Sequence, residues 1–210
     1  MSLRDFLKKI QAELLKKKDL KNDIQGNLRK ITRLSKQAIL FIHQERFDDA
    51  KTRLGDAKVL FDEVYALTID FPDLSYGGLT DAAYEEYAEA KTYLRLVEDG
   101  EFMNPEEIVV PSVSYVLGLS DVIGELRRRA LDSIRRDKID SANLCLELME
   151  EIFIEITAMD EAYMLVPGLR RKCDVARRII EATRGDVTLE VRRRSLEQAI
   201  KRLDDVLGDN

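Results

Sequence analysis

Two pairs of carboxylates stand in stretches that otherwise have the composition of a core. Glu86 and Glu89 lie in Tyr84-Glu85-Glu86-Tyr87-Ala88-Glu89-Ala90, and Asp121 and Glu125 lie in Leu117-Gly118-Leu119-Ser120-Asp121-Val122-Ile123-Gly124-Glu125. The spacings are i,i+3 and i,i+4, so on helices each pair projects from one face. Charge placed beside apolar surface is costly unless a cation, a proton or a metal accompanies it. Carboxylate oxygens are the donors that hard divalent ions such as Mg²⁺ prefer. Such an ion can activate water and offset charge on a phosphate. The same spacing also describes an ordinary solvated face with structural ion pairs to Arg127, Arg128 and Arg129, which is the commoner meaning of acidic pairs.

Helical wheels at 100° per residue place these acids. With Glu86 at zero, Ala83, Tyr87, Ala90, Leu94 and Val97 fall between about 20° and 100°, and Glu89 falls near about −60°. Both acids flank the apolar stripe, with Lys91 and Arg95 assigned to the far side. On the second stretch Ser114, Gly118, Asp121, Glu125, Arg128, Asp132 and Arg135 form one polar stripe. Val113, Val116, Leu117, Leu119, Val122 and Ile123 surround its first half, which encloses Asp121 and leaves Asp132 and Arg135 wet. Gly118 and Gly124 each cost a helix about 1 kcal/mol relative to Ala. Their presence points to close approach of another backbone or a ligand.

Arg127, Arg128, Arg129, Arg135 and Arg136 follow the second pair directly. Guanidinium groups suit bidentate contact with phosphate, and metal-binding acids beside phosphate-binding cations is a nuclease pattern. Surface solvation is the plainer account of the arginines taken alone. The runs Arg170-Arg171-Lys172, Arg177-Arg178 and Arg192-Arg193-Arg194 are weaker evidence of RNA contact.

Other chemistries lack residues. His43 is the sole histidine, and Leu40 stands three before it. The paired Glu-x-x-His motifs of di-iron bundles are therefore absent, and His43 is read as structural. There is no phosphate-binding glycine loop and no zinc spacing. Cys145 and Cys173 show no motif spacing, which favours a reduced intracellular, cytoplasmic setting. The N-terminus lacks an apolar signal core, and no run of about 18 apolar residues provides a membrane span.

Long helices must position the acids. The 210 residues include only four prolines and ten glycines, and 45% are hydrophobic, enough for a core. A formal net charge of −6 argues against a generic nucleic-acid coat without excluding a local basic patch. Helical periodicity predicts a lysine-rich helix or arm over 1–18 and helices over about 20–45 and 47–69. A break follows at 70–78. Thr80 is the expected N-cap of a helix over about 81–98. Asn104-Pro105 marks another start, and Pro111 interrupts it or opens a helix to about Asp137. Asp140 starts a helix to about Tyr163, and one after Gly168 is expected to end at Gly185. A separate charged helix is expected over 187–207. The class is all-α, with long antiparallel helices in one domain over 1–210.

At these residues the chain resembles the translin/Trax family. The resemblance is carried by Glu86-Tyr87-Ala88-Glu89-Ala90, by the stretch from Ser114 through Asp121 and Glu125 to Leu126, and by Ser133-Ile134 and Ile139-Asp140. Phe41-Ile42-His43 also looks like the family's first long helix. The similarity covers roughly 20–185, with 187–207 beyond it. It implies a seven-helix bundle that assembles into a hollow oligomer, often an octamer. It implies binding of single-stranded or short duplex RNA, and sometimes single-stranded DNA. The Trax branch carries acids for Mg²⁺-dependent endoribonuclease activity, which the translin branch lacks in full. Here Glu86, Glu89 and Asp121 match the catalytic, metal-binding positions and Glu125 lies one turn on, so the chain looks Trax-like. Mg²⁺, or Mn²⁺, is the implied cofactor. Eukaryotic members work with a translin-like paralogue, whereas this compact chain points to a prokaryotic, archaeal homologue that self-assembles. The competing readings are a non-catalytic nucleic-acid-binding scaffold and a helical protein–protein adaptor.

Overall fold

The structure is a computed structural model that describes residues 2–69, 71–75 and 77–208. Among the described residues there are seven α-helices and two 3-10 segments, with no strand. None of these helices is long and apolar enough to cross a membrane. The chain divides into two compact units, 1–118 and 119–210.

The first unit is built on α1 (Leu3–His43), α2 (Phe47–Thr68) and α3 (Gly78–Asp99). The expected division of α1 near residue 19 does not occur: one helix of 41 residues runs through, about 60 Å long. Lys16, Lys17, Lys18, Leu20 and Lys21 are strong helix formers around the poorer Asp19, and no glycine or proline there breaks the backbone ladder. The Asp5 carboxylate accepts from the Ser2 backbone N–H at 2.8 Å and closes its first turn. Ile24, Leu28, Ile31, Ala38 and Ile42 are buried, whereas Leu3, Phe6, Leu7, Ile10 and Leu14 in the outer half are exposed. A three-residue loop at 44–46, with Glu45 at φ 60°, reverses the chain. That short connection makes α1 and α2 antiparallel neighbours. Ala50, Leu54, Ala57, Phe61 and Val64 form the buried stripe of α2.

The start of α3 differs from expectation. Thr80 lies inside the helix, whose N-cap is Gly77 at φ 143°, a conformation open to glycine and strained for Thr. Gly100 at φ 73° ends α3 in the left-handed form usual at a helix C-terminus. Asn104 caps the short α4 (Pro105–Ile108) by accepting from the Glu106 N–H at 3.0 Å. Ser112 then opens α5 (Ser112–Arg135), which begins in the first unit and continues into the second.

The second unit adds α6 (Ile139–Thr157) and α7 (Leu169–Gly208). The helix expected to reach Tyr163 stops at Thr157 and is followed by a 3-10 segment, Asp160–Leu165. Gly185 does not end α7. The helix passes through it, so the separate helix expected over 187–207 is the second half of α7. A helical glycine costs only about 1 kcal/mol, which long flanking helix can absorb. Ala142, Cys145, Met149 and Ile152 of α6 and Leu169, Cys173, Ala176 and Ile180 of α7 are buried. Both cysteines are free thiols. Burial pushes the Cys145 thiol up to about 11, against the opposing charge of Arg129.

Candidate metal and nucleic-acid site

Each acidic pair sits within one unit. Glu86 and Glu89 lie in the middle of α3, on the same turn as buried Tyr87, Ala88 and Ala90. Glu89 is itself buried, at 8% exposure. Lys36 of α1 reaches Glu86, with Nζ 3.0 Å from Oε1. Glu86 first, and Glu89 at longer range, hold the Lys36 ammonium above its usual range. Lys91, assigned by the wheel to the far side, is half-buried, and desolvation holds it below the usual lysine range.

Gly118 of α5 presses on this turn of α3. A Cβ added there would lie 2.7 Å from the Glu85 carbonyl oxygen and 2.8 Å from the Glu89 nitrogen. Only hydrogen fits, so glycine fixes where α5 meets the backbone that carries Glu89. The close approach read from Gly118 is thus found. His43 packs on Tyr93, with ring centres 5.2 Å apart and the tyrosine oxygen 3.3 Å from Nδ1. This contact ties the end of α1 to α3.

In the second unit Lys172 of α7 donates to Asp121 Oδ2 at 2.5 Å. Both side chains are partly open, at 25% and 36% exposure. They edge a cavity of about 420 Å³, lined also by Ser120, Gly124, Gly168 and Arg171. Val175, Ala176 and Ile179 form its apolar wall. Gly124 differs from Gly118: a Cβ there meets nothing within 4 Å. It is not pressed by a backbone; it borders open space. Glu125 is partly buried, with Arg128 at 4.0 Å.

The five arginines separate by environment. Arg127 turns to α7, donating to Thr183 Oγ1 at 2.7 Å and to the Ile179 carbonyl at 3.1 Å, with Asp186 at 3.7 Å. It braces two helices. Arg128, Arg135 and Arg136 are exposed, and Arg129 is half-buried. Arg135 also contacts Asp132 at 3.3 Å.

Among the described residues, no three His, Cys, Asp or Glu side chains gather as they would to hold a metal. The donor type nevertheless suits a hard divalent ion, because all four side chains are carboxylates and one is buried. The wheels set both α3 acids beside the apolar stripe, but Asp121, expected to be enclosed, is as open at 36% as Asp132 at 37%, because it borders the cavity rather than a packed neighbour. The wheels missed Lys36 and Lys172 as partners, because a wheel of one helix carries no information about its neighbour. The only trace was the basic run at 170–172.

A sequence profile described as the Translin family matches residues 19–207. The chain belongs to that family. The match carries the resemblance through 187–207, the stretch that had been set outside it. An uncharacterised protein of Methanocaldococcus jannaschii is 29% identical over 192 residues, 90% of this chain and 85% of that protein. This agrees with the archaeal homologue expected from the sequence. A solved complex of AfC3PO with duplex RNA is 30% identical, with a TM-score of 0.78 over 90% of this chain and 97% of that one. The structure of apo-NeC3PO, at 20% identity and TM-score 0.79 over 88% and 96% of the two chains, shares the fold.

Proposed function

We propose that this chain binds RNA and cleaves it as a Mg²⁺- or Mn²⁺-dependent endoribonuclease. The observation that carries the reading is the likeness to AfC3PO, whose solved complex contains duplex RNA. The acids add the second half of the argument. Glu86, Glu89, Asp121 and Glu125 would hold the ion, with Glu86, Glu89 and Asp121 as the catalytic acids. A bound divalent ion would supply an activated water and offset charge on the scissile phosphate. Lys36 and Lys172, paired with Glu86 and Asp121, hold those two carboxylates in place for that role. Arg128, Arg129, Arg135 and Arg136 would meet the RNA backbone, while Arg127 holds α7 in place. The same reading has the chain acting in the cytoplasm as a homo-oligomer, an octamer, with a translin-like paralogue as a further partner and single-stranded DNA as a second ligand.

The test is cleavage of labelled single-stranded RNA with Mg²⁺ and with EDTA. Asp121→Asn should lower cleavage at least about 100-fold, the scale of losing a principal charge-stabilising group. RNA binding and assembly should be retained. Equal cleavage by variant and parent, with contaminating nuclease excluded, would defeat the reading. One observation favours the scaffold alternative: the described residues gather no acidic trio. That alternative requires RNA binding indifferent to chelator and no cleavage with any divalent ion.

A further inference from the structure

The cavity beside Asp121 has a lining of two chemical kinds. Arg171 and Lys172 of α7 bring two cations, and Lys172 donates to the Asp121 carboxylate of α5. One to two turns further along α7, Val175, Ala176 and Ile179 add apolar side chains. The volume, about 420 Å³, falls within the roughly 300–1,000 Å³ of small-ligand sites. A charged end joined to an apolar wall matches a molecule with a phosphate at one end and a flat, weakly polar ring at the other.

We propose that this cavity is a subsite for one nucleotide, with its phosphate on Lys172 and Arg171 and its sugar and base against Val175, Ala176 and Ile179. The proposal rests on the RNA-binding reading and adds to it where a nucleotide sits in the second unit. Lysine binds phosphate as a point charge, and arginine adds a planar fork. An ammonium has three N–H donors, so Lys172 can hold Asp121 and a phosphate oxygen together. Asp121 thereby fixes the long lysine stem in one place, which lowers the ordering cost of binding. It also couples the subsite to the second acidic pair.

The one lining hydroxyl, Ser120, stands next to Asp121 on α5, and the apolar residues of α7 carry no amide, hydroxyl or aromatic ring to read a base edge. Shape and phosphate charge therefore decide binding, and purine and pyrimidine nucleotides are accepted alike. Gly124 keeps the cavity open, because any side chain there would extend into space where a Cβ meets no atom. A glycine at an exposed helical position lowers helix propensity without easing any contact at this one. The open cavity gives it a role.

The test titrates the full chain in EDTA with adenosine 5′-monophosphate, uridine 5′-monophosphate and adenosine, followed by calorimetry. Both monophosphates should bind with affinities within a few-fold of each other, and adenosine should not bind measurably. Lys172→Met should weaken both at least about tenfold, as expected for a lost charge-assisted contact, and Lys172→Arg should restore most of the loss. Gly124→Leu should abolish binding without lowering the thermal midpoint. Binding of adenosine as tight as that of its monophosphate overturns the proposal. So does an absence of binding to the parent, or parental affinity in both Lys172→Met and Gly124→Leu. Cleavage is measured separately on labelled RNA. Nucleotide binding without cleavage removes the nuclease reading and keeps the subsite, whereas cleavage without nucleotide binding does the reverse.

Discussion

Gly118 and Gly124 stand fewer than two turns apart on α5, yet they serve opposite ends. At Gly118 the missing Cβ lets α5 press on the α3 backbone at Glu85 and Glu89. At Gly124 the missing Cβ leaves room in a cavity edged by Asp121 and Lys172. The acids nearby follow the same division. Glu89 is buried in the pressed region, and Asp121 is partly open in the roomy one. Glycine in a helix thus marks a site only through what surrounds it: one position is pinned by its neighbours, and the other is kept vacant for something else.

One substitution at both positions breaks or sharpens this contrast. Gly118→Ala should lower stability by about 3 kcal/mol despite the better helix propensity of alanine, because helix backbone cannot yield to an extra methyl. Denaturant unfolding would measure it, and a neutral result would mean that α5 and α3 are not in such contact. Next in size is the brace in the second unit. Arg127→Met should cost about 2 kcal/mol, the range for hydrogen bonds made by a charged group. If RNA affinity fell instead while stability held, Arg127 would belong with the surface arginines. Gly124→Ala should raise stability by about 1 kcal/mol, with the opposite sign to Gly118→Ala on the same helix. A loss there would show that the space is already filled.

The smallest effect concerns the closed side of the second unit and is read by pH. Cys145 titrates at about 11 because it is buried. Between the ordinary thiol value and that one, the folded chain keeps a proton that the unfolded chain loses. The folded state therefore binds more protons, and stability falls as pH rises through that window. Urea midpoints at about pH 8 and about pH 10.5 should drop more for the parent than for Cys145→Ala. Equal drops would mean that the thiol is not enclosed.

Much of this was legible in the residues. Period alone identified an all-α chain, a break after about residue 69 and another near 137–140, and the placement of Glu86 and Glu89 beside the apolar stripe of α3. It failed where two local signals competed. Gly185 has the residue type of a helix stop, but a glycine stop takes the left-handed backbone that Gly100 adopts at φ 73°, and Gly185 does not take it. Thr80 is a good cap by type, yet the helix begins two residues earlier at Gly78. The lysines on Glu86 and Asp121 were invisible for a different reason. Lys36 is 50 residues before Glu86 and Lys172 is 51 after Asp121, so only the tertiary fold pairs them.

The Arg127 brace has a consequence further along the chain. Its guanidinium shares the Ile179 carbonyl with the Thr183 hydroxyl, which reaches that oxygen at 2.6 Å. These contacts lie within two turns before Gly185, a poor helix former inside a 40-residue helix. Arg127 acts there as a splint across the thin section of a beam. The stiffness of everything beyond it, to residue 208, is thus set in part by one side chain on α5. A change at Arg127 would be transmitted down that length as a loosened joint, far from where the sequence itself was altered.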